Sequence, residues 1–169
     1  MGMSNDATAA RTMMRRFERE AQATAMLTSQ HSIMLYDFGI AQDGTFYYVM
    51  ELLEGRDLKS LIRERGPVPA ERAVHFLRAA CDSLADAHHR GLIHRDIKPA
   101  NIFTCRRGRD FDFVKVLDFG LVKSVRDGAG DQLTQLTGSG ATSGTPGFMA
   151  PEMVTGEAPV DGRADIYAL

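Results

Sequence analysis

The decapeptide Leu92-Ile93-His94-Arg95-Asp96-Ile97-Lys98-Pro99-Ala100-Asn101 constrains this chain more than any other stretch of it. Polar residues at 94, 95, 96, 98 and 101 are interleaved with Ile93, Ile97 and Ile102. Pro99 lacks a backbone N–H and clashes with the preceding turn, so a regular helix is forbidden there. The segment therefore reads as a constrained loop. Apolar anchors hold it, and it presents a carboxylate, an ammonium and an amide together.

The residues after the loop bring in another carboxylate. Ile102 to Thr104 and Phe113 to Leu117 are apolar strand runs, joined by Arg106-Arg107-Gly108-Arg109-Asp110. A hairpin lays its strands about 5 Å apart, so Asn101 at one end is expected to face Asp118 at the other. Two oxygen ligands beside the carboxylate of Asp96 suit a hard cation. Magnesium fits, because it needs only one or two protein carboxylates and takes phosphate oxygens for the rest. Each short motif also has a plainer reading: Asp118-Phe119-Gly120 as a turn, His94 as a packed core histidine.

The elements around this centre can be placed from periodicity. Residues 1–10 are small and polar, a frayed lead-in. From Arg11 to Thr28, Met13, Phe17, Ala21, Thr24 and Leu27 recur at three- and four-residue steps, which is a helix face. Glu20 falls on that stripe, either reaching solvent at its edge or aimed at a buried cation. Two β-rich runs, Ile33 to Ile40 and Thr45 to Leu52, flank Asp43-Gly44, a hairpin signal. A short helix is expected from Asp57 to Arg65, with Asp57 as N-cap and Gly66 as stop. Pro69 opens a longer one to about Arg90, with Ala73, Leu77, Ala80, Leu84 and Ala87 on one face and Gly91 past its end. Beyond residue 120 the composition shifts. Nine of the 16 glycines lie between Gly120 and Gly162, and Ser124 to Gly147 reads as a long loop, functional or disordered.

Composition excludes several classes. The 169 residues are 44% apolar and 25% charged with a net charge of −2, an ordinary globular balance that argues against a basic nucleic-acid binder. Cys81 and Cys105 cannot build a disulfide framework, and no apolar run approaches the ~20 residues of a membrane span. Residues 1–10 lack a signal-peptide core, and Asp6 stands where myristoylation needs Ser or Thr. A cytoplasmic single domain remains. His88, His89 and His94 could suggest a metal cluster, but adjacent helix residues point about 100° apart, so His88 and His89 read as a solvated helix end. Cys105 reads as an inert strand-end thiol and the Arg106-Arg107-Gly108-Arg109 run as a solvated turn.

The order and spacing of His94-Arg95-Asp96, Lys98, Asn101, Asp118-Phe119-Gly120 and Ala150-Pro151-Glu152 resemble the protein-kinase signature set. Gly144 to Met149 is similar to the segment that receives the substrate in bacterial Ser/Thr kinases of the eukaryotic type, and Lys98 favours Ser/Thr over Tyr. The resemblance runs from about Arg16 to Leu169. It implies an α+β, two-lobed kinase-like fold, here incomplete. Residues 11–53 would be an upper-lobe remnant and 54–169 part of the helical lower lobe, with an activation segment over 118–152.

By that resemblance, Asp96 orients the substrate hydroxyl and accepts its proton. Asn101 and Asp118 hold the two Mg2+ ions that bridge the ATP phosphates, and Lys98 neutralises the transferring phosphoryl group. Met50-Glu51-Leu52-Leu53 looks like the hinge that binds adenine through its backbone at Glu51 and Leu53, with Met50 as gatekeeper. Arg95 would pair with a phosphate on the activation segment, with Thr134, Thr137 and Thr142 as candidate acceptors. Thr145 would contact the substrate site, and Asp165 would brace the catalytic loop from below. Glu20 would pair with a lysine from a preceding strand that this sequence does not contain, nor does it contain a glycine-rich loop. The expected partners are ATP and a protein substrate, with no nucleic acid and no membrane segment.

Two function classes remain: a Ser/Thr kinase of which this is a part, and a catalytically incompetent fragment or pseudokinase-like binding module. Intact Asp96, Lys98, Asn101 and Asp118 favour the first. The 169-residue polypeptide by itself is expected to fold poorly and to have no measurable kinase activity, since an unpaired inward carboxylate at Glu20 is costly and a two-stranded hairpin is marginal in water. Circular dichroism during heating, with an assay of transfer from magnesium ATP, checks this. A sharp transition together with Asp96-dependent phosphorylation would refute it.

Overall fold

The computed structural model describes residues 14–15, 17–19, 21–119, 146–156 and 159–169. The lead-in, Glu20, Thr134, Thr137, Thr142 and Thr145 lie outside the described residues. Helical backbone at 14–15, 17–19 and 21–25 begins the chain. Next come β1 (Leu35–Ile40), β2 (Phe46–Met50), β3 (Gly55–Asp57), α1 (Leu58–Arg65) and α2 (Ala70–His89). A 3-10 turn at Pro99–Asn101 leads into β4 (Ile102–Arg107) and β5 (Asp110–Val116). A second turn at Pro146–Phe148 precedes α3 (Pro151–Thr155) and α4 (Arg163–Ala168).

Two antiparallel sheets divide these elements. The β1–β2 hairpin stands alone, and the other sheet runs β3-β4-β5. Asp43 and Gly44 shape the first turn as expected: Asp43 Oδ1 accepts from Thr45 N at 2.9 Å, and Gly44 takes a φ of 84°. Phe17, fully buried, joins the N-terminal helix to this hairpin by packing on Phe46 and Tyr48 at ring separations of 4.3 and 4.9 Å. Asp57 caps α1 by accepting from Ser60 N at 2.8 Å. Gly55 is obligatory, because a Cβ there would lie 2.0 Å from Thr104 O across the β3–β4 pair.

The lower core gathers Leu58 and Leu61 of α1, Phe76, Ala80, Leu84 and Ala87 of α2, and Val114 and Val116 of β5 around Ile97 and Phe119. Two expectations shift here. The buried stripe of α2 is centred on Phe76, Ala80, Ser83 and Ala87, leaving Leu77 37% exposed. Phe76, 2% exposed, fills the core instead. The basic run is exposed, as expected of a solvated turn, but the turn itself is shorter than the run. β4 and β5 extend to a two-residue turn, Gly108-Arg109, and Arg106 and Arg107 stack over Phe111 and Phe113 at 5.1 and 4.7 Å.

The loop after the N-terminal helix is riveted to the lower elements. Ile33 N donates to Val116 O at 2.9 Å, Val116 N donates to His31 O at 2.7 Å, and the Ser32 and Ser83 hydroxyls meet at 2.7 Å. Asp86 of α2 accepts from Thr28 N and Ser29 N at 2.6 and 3.0 Å and from Arg90 Nε at 2.9 Å. Burial pushes the Asp86 carboxyl up, but those donors outweigh it and hold the group at about 2. No described helix is long and apolar enough to cross a membrane.

A carboxylate lowered in this way stabilises the fold above its ordinary pKa, and that contribution is lost as pH falls towards the folded value. In the full-length protein, Asp86→Asn should lower stability at neutral pH. The gap from the parent should close as pH drops from 3.8 towards about 2. Urea denaturation across that range reads it, and a gap independent of pH would contradict the clamp.

Candidate active site

The site is assembled by one buried carboxylate. Asp165 of α4 is 1% exposed. Its Oδ2 accepts from His94 N at 2.9 Å and from His88 Nε2 at 2.7 Å, and its Oδ1 accepts from Arg95 N at 2.7 Å. Arg95 sits at a φ of 64°, the left-handed region that a non-glycine residue enters at a cost. Two N–H groups aimed at a single carboxylate compensate for that strain. The expectation that Asp165 braces the loop is met in the geometry.

His88 is a correction. It does not belong to a solvated helix end, because its ring closes on Asp165, and Gly162 approaches it so closely that a Cβ would lie 2.7 Å from Nδ1. Periodicity could not show this, since the partner lies 77 positions further on. A histidine four residues beyond a buried α2 position, Leu84, is the available signal. His89 is exposed. Among the described residues no group of three His, Cys, Asp or Glu side chains forms a metal cage.

His94 joins the two halves of the site. It is fully buried, and burial pushes its imidazole down from the usual 6.5. Its Nδ1 accepts from Asp96 N at 3.2 Å, which leaves Nε2 to donate to Leu117 O at 2.7 Å. A histidine held neutral this way gives its full stabilisation above 6.5 and loses it as pH falls below. Its ring also packs on Phe119, centroids 4.9 Å apart. Leu117 N in turn donates to Asn101 O at 2.9 Å. The register therefore sets Leu117, not Asp118, opposite Asn101, and Asp118 comes next at a φ of 57°. Leu117, the residue before Asp118, is thus held at both its N–H and its carbonyl.

On the loop itself three side chains converge. Lys98 Nζ lies 2.8 Å from Asp96 Oδ2, and Asn101 Nδ2 donates to Asp96 O at 2.8 Å and to Oδ2 at 3.2 Å. Phe148, Met149 and Met153 line a small crevice with Arg95, Asp96 and Ile97, so the segment before α3 lies against the loop. Glu51 and Leu53 fall on the β2–β3 connection; the Glu51 carboxylate turns to Lys115 at 2.5 Å rather than towards Asp96. Cys105 is buried with its thiol pushed up by burial, consistent with an inert role.

The described elements form an α+β arrangement in which the loop carrying Asp96, Lys98 and Asn101 is tied to the strand end at Leu117 and Asp118. The family profile of the protein kinase domain matches residues 3–169, and the chain belongs to that family. It is 42% identical to the serine/threonine-protein kinase pkn3 of Myxococcus xanthus, over 91% of this chain and 28% of that protein. It is 36% identical to the serine/threonine-protein kinase PknB of Mycobacterium leprae, over 91% of this chain and 24% of that one. Among solved structures, the PknI kinase domain of Mycobacterium tuberculosis superposes with a TM-score of 0.70 at 31% identity, covering 91% of this chain and 52% of that domain. The chain thus spans about half of the solved domain and about a quarter of the curated relatives.

Removing the brace tests its weight. In the full-length protein, Asp165→Ala leaves two backbone donors without a charged acceptor and should cost on the order of 3 kcal/mol. Urea denaturation measures it; an unchanged midpoint would show that the loop is held by other contacts.

Proposed function

We propose that the protein containing this chain is a serine/threonine protein kinase that transfers the γ-phosphoryl group of ATP to a Ser or Thr hydroxyl of a protein substrate. The observation that carries this reading is the convergence of Lys98 Nζ and Asn101 Nδ2 on one oxygen of Asp96. That grip sets the orientation of the carboxylate, which receives the hydroxyl proton. A hydroxyl bound there lies within reach of the Lys98 ammonium, which can balance charge on an incoming phosphoryl group.

The donor set fits magnesium. Asn101 spends its amide hydrogens on Asp96, which leaves its Oδ1 for a cation, and Asp118 lies next on the same tied backbone. Bound there with ATP, Mg2+ would supply bridging charge between phosphate oxygens. The β2–β3 connection at Glu51 and Leu53 would seat adenine through backbone groups. Arg95 and the threonines at 134, 137 and 142 would form the regulatory pair, with Thr145 at the substrate segment. Dependence on ATP is consistent with a cytoplasmic catalytic domain.

Positioning and general-base help are worth about 10²–10⁴ in rate. Asp96→Asn in the full-length protein should therefore lower transfer by that order while ATP binding stays nearly intact. Asp118→Ala should weaken nucleotide binding as well. Transfer of radiolabelled γ-phosphate reads the first and equilibrium binding the second. Undiminished transfer by Asp96→Asn would remove the residue from its role.

A further inference from the structure

Behind the loop and the hinge lies a charge pair that the proposed chemistry does not use. Lys115 of β5 is the lysine buried among the described residues, its side chain 7% exposed. Its Nζ donates to Glu51 Oε1 at 2.5 Å and to Ser32 O at 3.0 Å. Glu51 Oε1 also accepts from Met34 N at 2.8 Å, and Glu51 N donates to Met34 O at 3.0 Å. One ammonium therefore ties together three separate pieces of chain: the loop after the N-terminal helix, the first residue after β2, and the strand that leads into Asp118. The pair borders a cavity of about 640 Å3 shared with Thr28, Glu54, Arg106 and Arg107.

A buried ion pair is a poor way to gain stability, because its desolvation offsets much of the attraction and an apolar pair of similar volume does as well. What such a pair provides is direction. The connection from Glu51 to Glu54 has little else to set its path: Leu52 is 94% exposed, Leu53 is half-buried, and Glu54 O accepts from Arg106 N at 3.3 Å. Lys115 fixes the start of this connection relative to the strand that ends at the site.

We propose that Lys115 is a positioning residue for nucleotide binding, acting through Glu51 by holding the β2–β3 connection in register with the strand that leads to Asp118. The inference rests on the kinase reading above, in which that connection seats adenine.

The test uses the full-length protein carrying Lys115→Met, Glu51→Leu, both together, or Glu51→Gln. Lys115→Met should raise KM for ATP about tenfold, the scale of one charge-assisted hydrogen bond, with a much smaller change in kcat. The double variant should raise KM by less than the product of the two single effects, since either substitution alone already breaks the pair and the second then removes only the Met34 N contact. A lowered melting temperature with unchanged KM for ATP would overturn the proposal, and so would KM increases that multiply in the double variant. If Lys115→Met fails to fold, Glu51→Gln decides, because its amide oxygen keeps both acceptor contacts and removes only the charge. A raised KM there supports the proposal, and an unchanged one overturns it. Failure of the unsubstituted protein to bind ATP would overturn the kinase reading and this inference with it, whereas unchanged variants would overturn this inference alone.

Discussion

The carboxylate of Asp165 is the contact on which the rest of the site depends. It is buried, and it spends both oxygens on the backbone of His94 and Arg95 and on the ring of His88. A loop that contains a proline and a left-handed Arg95 cannot satisfy its own N–H groups as a helix would. An external acceptor has to do it. Because α4 carries that acceptor, the loop from His94 to Asn101 takes its shape from a helix about seventy residues later in the chain, not from its immediate neighbours.

From that anchor the order spreads by short steps. His94, neutral and buried, passes the constraint from Asp96 to Leu117, and Leu117 passes it to Asn101 through the strand register. Asp96, Asn101 and Asp118 are thereby placed by backbone hydrogen bonds, which carry little rotamer freedom. The upper hairpin is joined to this assembly differently. Asp86 holds the loop at Thr28 and Ser29, and Phe17 holds the hairpin to the N-terminal helix by ring packing. The lower site thus meets the upper part at named points, among them Asp86 with Thr28 and Ser29 and Lys115 with Glu51.

Much of this is legible in the residues. The Asp43-Gly44 turn, the Asp57 cap, the helix opening at Pro69 and the convergence of Lys98 and Asn101 on Asp96 are all local, and local chemistry shows in short spacings. The departures from expectation share a cause. The inward face of α2 depends on which neighbours it meets, and Phe76 rather than Leu77 lies in the core cluster. That the strand runs on to Arg107 within the exposed basic run is not legible, because guanidinium–ring stacking across a hairpin has no periodic signature. His88 and Lys115 are invisible for the same reason: their partners are Asp165 and Glu51, 77 and 64 positions away. The roles proposed for Asp96 and Asp118 come from family resemblance; spacing alone leaves each open to a plainer reading.

The close approach of Gly162 to His88 has a consequence for how sequences of this kind can drift. The Cβ that Gly162 lacks would lie 2.7 Å from the imidazole, and the imidazole cannot withdraw without leaving Asp165. The two positions are therefore not independently variable. A side chain at 162 becomes tolerable only in a lineage where 88 has already shrunk or turned away, and such a lineage must find Asp165 another donor. Natural variation should show glycine at the first position wherever a histidine stands at the second, and a larger residue at the first only where that histidine is gone.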